Sequence, residues 1–247
     1  MSDSRRLVLS LVILLVFVIS AFLLSSIVNA VTRTWDGGGT TNDWSDCVNW
    51  SGDTCPTGAD AVVFNSTSTK NATIDASFTG TVLSMNINSG YTGIITQARS
   101  LTITGAYTQG AGTFTGGSQA IDVTGNLNSF VVTAGSFTST SGTLSVKGDF
   151  NVASATFTHN GGTVTFTENS TNRQITCNSN TLNLVTFTHT SPYKRVNSSC
   201  SLPMGSNPSF SGRILLDGGT LSGTGTLTAG AQFDLQNGAS FPDFPAW

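Results

Sequence analysis

The chain has 247 residues, of which only 9% are charged, and a formal net charge of −3. Ten Lys and Arg over that length make no basic patch for nucleic acid and no polybasic run for anionic lipid. Apolar residues make up 38% and recur regularly, so the low charge does not signal disorder.

Arg5 and Arg6 precede an apolar run from Leu7 to Leu24 that is broken only by Ser10 and Ser20. Val28 and Ala30 stand at the minus-three and minus-one positions of a cleavage site after Ala30, the pattern of a secretory signal peptide. The same run is near the lower length limit for a membrane span. Residues 1–30 therefore read as a signal peptide or, if uncleaved, as an N-terminal membrane anchor. Both readings make the rest of the chain secreted or displayed at the cell surface.

Residues 31–71 form a distinct head that holds three of the four tryptophans, Trp35, Trp44 and Trp50. These rings fit an aromatic glycan-binding platform. They also fit a cap over the first rung of a stacked β fold, whose exposed strand edges need covering, and the cap is the expectation. Asp36, Asn42, Asp43, Asp46 and Asp53 offer oxygen donors for calcium. Asx turns explain the same composition and no EF-hand or RTX spacing is present, so no cofactor is expected.

The four cysteines form two local pairs, Cys47 with Cys55 and Cys177 with Cys200. An even count in an exported chain reads as two disulfides, and neither pair has the C-x2-C spacing of a zinc site. Cys177 and Cys200 lie 23 residues apart, one repeat period, which would set one above the other.

That period comes from the middle of the chain. LTITGAYTQGAGTFTGG begins at Leu101, and related text returns from Ile121 and from Leu144. Gly105, Gly125 and Gly148 recur at spacings of 20 and 23, and Phe114, Phe137 and Phe157 at 23 and 20. Apolar residues alternate with Thr or Ser, the pattern of β-strands, and no helical periodicity follows the N-terminal run. A sandwich of short antiparallel strands is the competing all-β arrangement. Fixed registration of Gly, Phe and Thr between units favours an all-β solenoid, a right-handed parallel β-helix, with one repeat per rung. Rungs are expected over residues 72–189, then an irregular loop at 190–213 with three prolines, then further short strands at 214–247. About 160 residues on this plan make roughly eight rungs and a rod about 40 Å long. The end at FPDFPAW carries no recognisable cap, which suggests the first part of a longer protein.

The head pattern W-D-G-G-G…D-W…N-W…P-x-G-A-D-x-V-x-F, followed by L-T-I-T-G…G-T-F-T and N-G-G-T-V-T-F units, resembles bacterial surface proteins. Those proteins carry autotransporter-associated or filamentous-haemagglutinin-like β-solenoid repeats. The resemblance covers roughly residues 34–190 and implies a passenger or stalk region of an adhesin, with no common catalytic residues. Its implied partners are cell-envelope components, glycans or other surface proteins, with membrane contact only through an uncleaved N-terminal segment.

A carbohydrate-active β-helix is the enzymatic alternative, since lyases and hydrolases need convergent carboxylates, or a carboxylate with a cation. Asp122 and Lys147 share an outer face on the repeat register, with Asp149 close by, and a surface ion pair explains them more simply. His159 and His189 lie about 30 residues apart, which is not a whole number of rungs. The expectation is a non-catalytic structural stalk or adhesin. The triplets Thr113/Thr115, Ser136/Thr138, Thr156/Thr158 and Thr186/Thr188 bracket inward Phe and would stack into a Thr ladder resembling that of β-solenoid ice-binding proteins. Thr is also simply a good outward β-former. Sequons begin at Asn49, Asn65, Asn71, Asn169 and Asn197, candidate glycosylation sites where exported proteins are glycosylated.

Overall fold

Alternating strands separated by glycine-bearing turns wind the described residues of the unit 31–247 into a β-solenoid with three parallel faces. The computed structural model describes residues 30–167, 172–178, 180–188, 193–197, 200–206, 209–210, 213–224, 228–229 and 233–240. The N-terminal apolar run, Asn169, His189 and FPDFPAW lie outside the described residues. Among the described residues, no helix is long and apolar enough to cross a membrane.

The long face is a ten-stranded sheet. Its strands are Thr32–Thr34, Ala61–Phe64, Ser84–Ile87, Tyr107–Gln109, Phe130–Val132, Phe150–Asn151, Arg173–Thr176, Tyr193–Asn197, Arg213–Asp217 and Phe233–Gln236. A second face stacks Ala72–Ile74, Ile94–Gln97, Thr113–Thr115, Ser136–Thr138 and Thr156–Thr158. We call it the Phe face. The third stacks Thr81–Val82, Leu101–Ile103, Ile121–Val123, Thr143–Val146, Thr163–Phe166 and Leu184–Phe187. Every pairing between these strands is parallel, and successive partners on the long face from Ala61 onward lie 19 to 25 residues apart.

In-register stacking turns the sequence repeat into columns. Tyr107, Phe130 and Phe150 stack with ring centroids 5.1 and 5.2 Å apart. Phe114, Phe137 and Phe157 form a second column at 4.8 and 5.7 Å. The columns meet edge to face, as at Phe130 and Phe137, whose planes cross at 86°. Offset stacks and T-shaped contacts are the two favourable aromatic geometries, and this core uses both. At the corners, buried glutamines replace apolar side chains. Gln97 Nε2 donates to the carbonyls of Arg99, Gln119 and Ala120, and its Oε1 accepts from Gly117 N–H. Gln109 does the same for Ala111, Gly112 and Ser136, and accepts from the Tyr107 hydroxyl. Each tightly turned corner leaves carbonyls without a strand partner, and the amide satisfies them.

The repeated glycine has a steric cause. A Cβ on Gly125 would collide with the carbonyl oxygen of Gly105 one coil away, so only glycine allows the corners to stack so closely.

The span 190–213, expected as a loop, is another coil built from Tyr193–Asn197, Ser201–Ser206 and Ser209–Phe210. Its prolines concealed it. Pro203 is accommodated in the Ser201–Ser206 strand, whose register against Thr220–Thr224 shifts between Pro203 and Ser206. Such a bulge is where a strand tolerates proline. The first coil also begins earlier than expected: Ala61–Phe64 pairs with Ser84–Ile87, inside the span read as the cap.

The head covers the open end. Thr32–Thr34 pairs with Ala61–Phe64, Asp43 bridges Thr73, and Leu83 N–H donates to the Asp60 carbonyl on the third side. Both expected disulfides form, Cys47–Cys55 with 4.4 Å between Cα atoms and Cys177–Cys200 with 5.0 Å. The second joins adjacent coils.

Candidate interaction face

A T-F-T triplet on a strand turns Phe inward and both threonines outward, because side chains alternate with a period of two. On the Phe face this produces two outward columns. Thr73, Thr96, Thr115, Thr138 and Thr158 make one, and Ile94, Thr113, Ser136 and Thr156 the other. Neither column carries a charge. None of the eight Thr and Ser hydroxyls donates to or accepts from another described residue.

The other faces differ. On the third face the outward column is Thr81, Thr102, Asp122, Ser145, Thr165 and Thr186. There Thr165 Oγ1 lies 2.7 Å from Thr186 Oγ1. On the long face Thr108 Oγ1 donates to Asn86 Oδ1 at 2.6 Å, and Asn197 Nδ2 to Thr176 Oγ1 at 2.6 Å. Thr186 and Thr188, expected to continue the Phe-face ladder, therefore belong to another face. A T-F-T triplet has the same inward and outward order on any face, so the motif alone does not assign it.

The Phe-face ladder is closed at both ends. Below, Thr73 N–H donates to the Asn42 carbonyl and Trp44 N–H to the Thr73 carbonyl. Above, Asn180 Oδ1 accepts from Phe157 N–H at 3.0 Å, and Asn180 Nδ2 donates to the carbonyls of Val152, Ala155 and Cys177. One side chain thus takes up the Phe157 N–H on the edge that the next strand would have paired.

The head tryptophans are not a surface platform. Trp35, Trp44 and Trp50 are each 0% exposed and pack around Phe64, with Phe78 against Trp44. Trp50 Nε1 donates to the Trp44 carbonyl at 2.9 Å and Trp35 Nε1 to the Lys70 carbonyl at 3.1 Å. With no ring face open, no sugar stacks on them in this fold, and their large apolar area forms the core of the cap.

Asn49 is likewise withdrawn from the glycosylation candidates. It is fully buried; its Oδ1 accepts from Gly39 N–H and Lys70 Nζ, and its Nδ2 donates to the carbonyls of Thr41 and Asp43. Asn71 is exposed, with Oδ1 accepting from Ile94 N–H. Asn65 and Asn197 are half-buried, and Asn169 lies outside the described residues.

The oxygen-rich head loop is organised around an ammonium group. Lys70 Nζ donates to the carbonyls of Gly37 and Gly39, at 3.2 and 2.6 Å, and to Asn49 Oδ1 at 3.0 Å. Asp36 caps Gly38 N–H, and Asp46 accepts from the Thr41 hydroxyl and N–H. Those bonds to Thr41, with Lys70 nearby, hold the Asp46 carboxyl below the ordinary range. Sequence reasoning missed Lys70, because nothing local links it to a loop some thirty residues away.

The enzymatic candidates do not converge. Asp122 and Lys147 share the third face without an ion pair between them, and burial raises the Asp122 pKa. Asp149 serves the backbone, accepting from Gln174 N–H at 2.8 Å and Asn128 N–H at 3.5 Å. His159 Nδ1 accepts from Gly161 N–H. Among the described residues, no group of three or more His, Cys, Asp or Glu is placed to hold a metal ion. An open recess of about 600 Å³ lies beside the bulged strand, lined by Asn183, Pro203, Ser206, Ser222 and Thr224 among others, and none of the described residues that line it is titratable. No known protein family, curated protein or solved structure matches this chain.

Proposed function

We propose that this chain is an exported, non-catalytic structural element, a stiff spacer of the kind found in adhesin passengers and cell-surface stalks. The observation that carries the reading is the unbroken ten-stranded parallel sheet backed by in-register aromatic columns. Bending such a rod requires many ladder hydrogen bonds to be strained together, so stiffness is a property of the whole stack. A disulfide between adjacent coils and another in the head support an oxidising destination. The apolar run behind Arg5 and Arg6 supplies the export signal.

The test is expression of the full chain in a bacterial host, followed by fractionation, protease shaving of intact cells and thiol counting. The reading predicts a chain outside the inner membrane, without free thiols, that resists trypsin until it is denatured. A cytoplasmic chain with four reactive thiols and rapid digestion would refute it.

A further inference from the structure

We infer that the Phe face is a docking surface for an extended, uncharged polysaccharide chain lying along the stack. The inference goes beyond the spacer reading, which stands or falls on export and stiffness alone.

Three observations lead to this ligand class. First, the eight hydroxyls of Thr73, Thr96, Thr113, Thr115, Ser136, Thr138, Thr156 and Thr158 have no partner among the described residues, whereas on the other two faces Thr165 pairs with Thr186, Thr108 with Asn86 and Thr176 with Asn197. Each free hydroxyl is both a donor and an acceptor, matching a ligand that also presents hydroxyls. Second, the two columns carry no charge from Thr73 to Thr158, with Asp43 of the head paired beside Thr73 at the lower end, while the third face carries Asp122 and Lys147 within its length. An acidic polymer gains no ion pair here and a basic one no carboxylate, so the complementary ligand is neutral.

Third, the footprint is small. Rows about 4.8 Å apart and columns about 7 Å apart give five rows an area on the order of 200–300 Å². A stable protein partner needs about 800 Å² on each side, so neither a second copy nor another protein fits the dimensions. A linear polymer does, because it engages the rows one after another. Each row contributes weakly and the repeat supplies avidity. Closure of the ladder by the head below and by Asn180 above gives it a definite length.

The test is co-sedimentation of the purified full chain with microcrystalline cellulose, insoluble chitin and curdlan, with polygalacturonate gel as the charged comparison. Retention is expected on at least one neutral polymer and not on polygalacturonate. The double variant Thr115→Lys/Thr138→Lys should lower the bound fraction at least tenfold while its far-UV circular dichroism is unchanged. Thr165→Lys on the third face should bind as the parent does. If the double variant loses its β signal, Thr115→Val/Thr138→Val replaces it; removing two hydroxyls from the array at nearly constant shape is expected to weaken retention about threefold. Absence of retention on all three neutral polymers, or retention indifferent to the Phe-face substitutions, would overturn the inference. Ice-crystal shaping that depends on Thr115 and Thr138, without polymer retention, would also overturn it and assign the face to ordered water.

Discussion

In the head, each stabilising contact occurs once: one Lys70 ammonium on two loop carbonyls and Asn49, one Trp trio around Phe64, one short disulfide loop. In the coils, most contacts have a counterpart one rung away. Phe137 repeats Phe114 and is repeated by Phe157, and Gln109 plugs one corner as Gln97 plugs another. The difference lies in how damage spreads. A singular contact fails locally, whereas a coil residue sits between two neighbours and takes both interfaces with it.

The largest effect that sharpens this comparison is expected from Phe137→Asp. The variant buries a carboxylate between Phe114 and Phe157 and against the rings of Tyr107 and Phe130. Loss of the ring alone costs about 3–5 kcal/mol, and the unpaired charge adds to it. The far-UV β signal should be lost at room temperature. A variant that keeps its β spectrum and parent melting temperature would break the comparison.

Lys70→Met should act more locally. It removes three charge-assisted hydrogen bonds to head oxygens, worth about 1.5–3 kcal/mol in total because the site is partly solvated. Tryptophan fluorescence, which reports mainly the head, should melt earlier, while the coil transition followed at 218 nm by circular dichroism (a wavelength chosen for β structure, roughly its usual minimum) barely moves. Coincident shifts in both signals would show that head and coils melt as one.

Acid should separate them in the same direction by a smaller amount. Burial alone would raise the Asp75 pKa, but hydrogen bonds from Ser45 Oγ and N–H and from Ser77 N–H outweigh it and hold the carboxyl below its ordinary 3.8. This contribution is present above 3.8 and is lost as pH falls through the lowered value. Burial raises Asp122 instead, so its ionised form costs stability, and that cost disappears as pH falls from the raised value toward 3.8. Acidification below about pH 4 should thus loosen the joint between Ser45 and Asp75 while relieving the third face. Tryptophan emission should shift before the β signal changes, and Asp75→Asn should abolish that order.

The coils were legible in the sequence because stacking imposes a period on the text. Gly125 must be glycine beneath its neighbour's carbonyl, and Phe137 must match the rings above and below. The second disulfide was readable for a related reason, since Cys177 and Cys200 stand one coil apart, whereas Cys47–Cys55 was readable from its short separation and the even cysteine count. The coil over 193–210 was hidden because Pro203 normally argues against a strand, and only the bulge beside it removes the conflict. The corner glutamines and Lys70 were illegible because their partners are backbone carbonyls, which leave no mark in composition. The tryptophans carried an ambiguous signal, since a buried cap and an exposed platform use the same residues. Burial alone separates the two.

The central claim is a rigid stack of in-register coils, and a single distance tests it. Thr81 and Thr186 stand in one outward column, five pairing steps apart, through Thr102, Asp122, Ser145 and Thr165. At about 4.8 Å per step, spin labels on Thr81→Cys/Thr186→Cys should be separated by about 24 Å. Double electron–electron resonance should then show one narrow distribution near that value. A broad distribution, or a separation far from it, would contradict the stack.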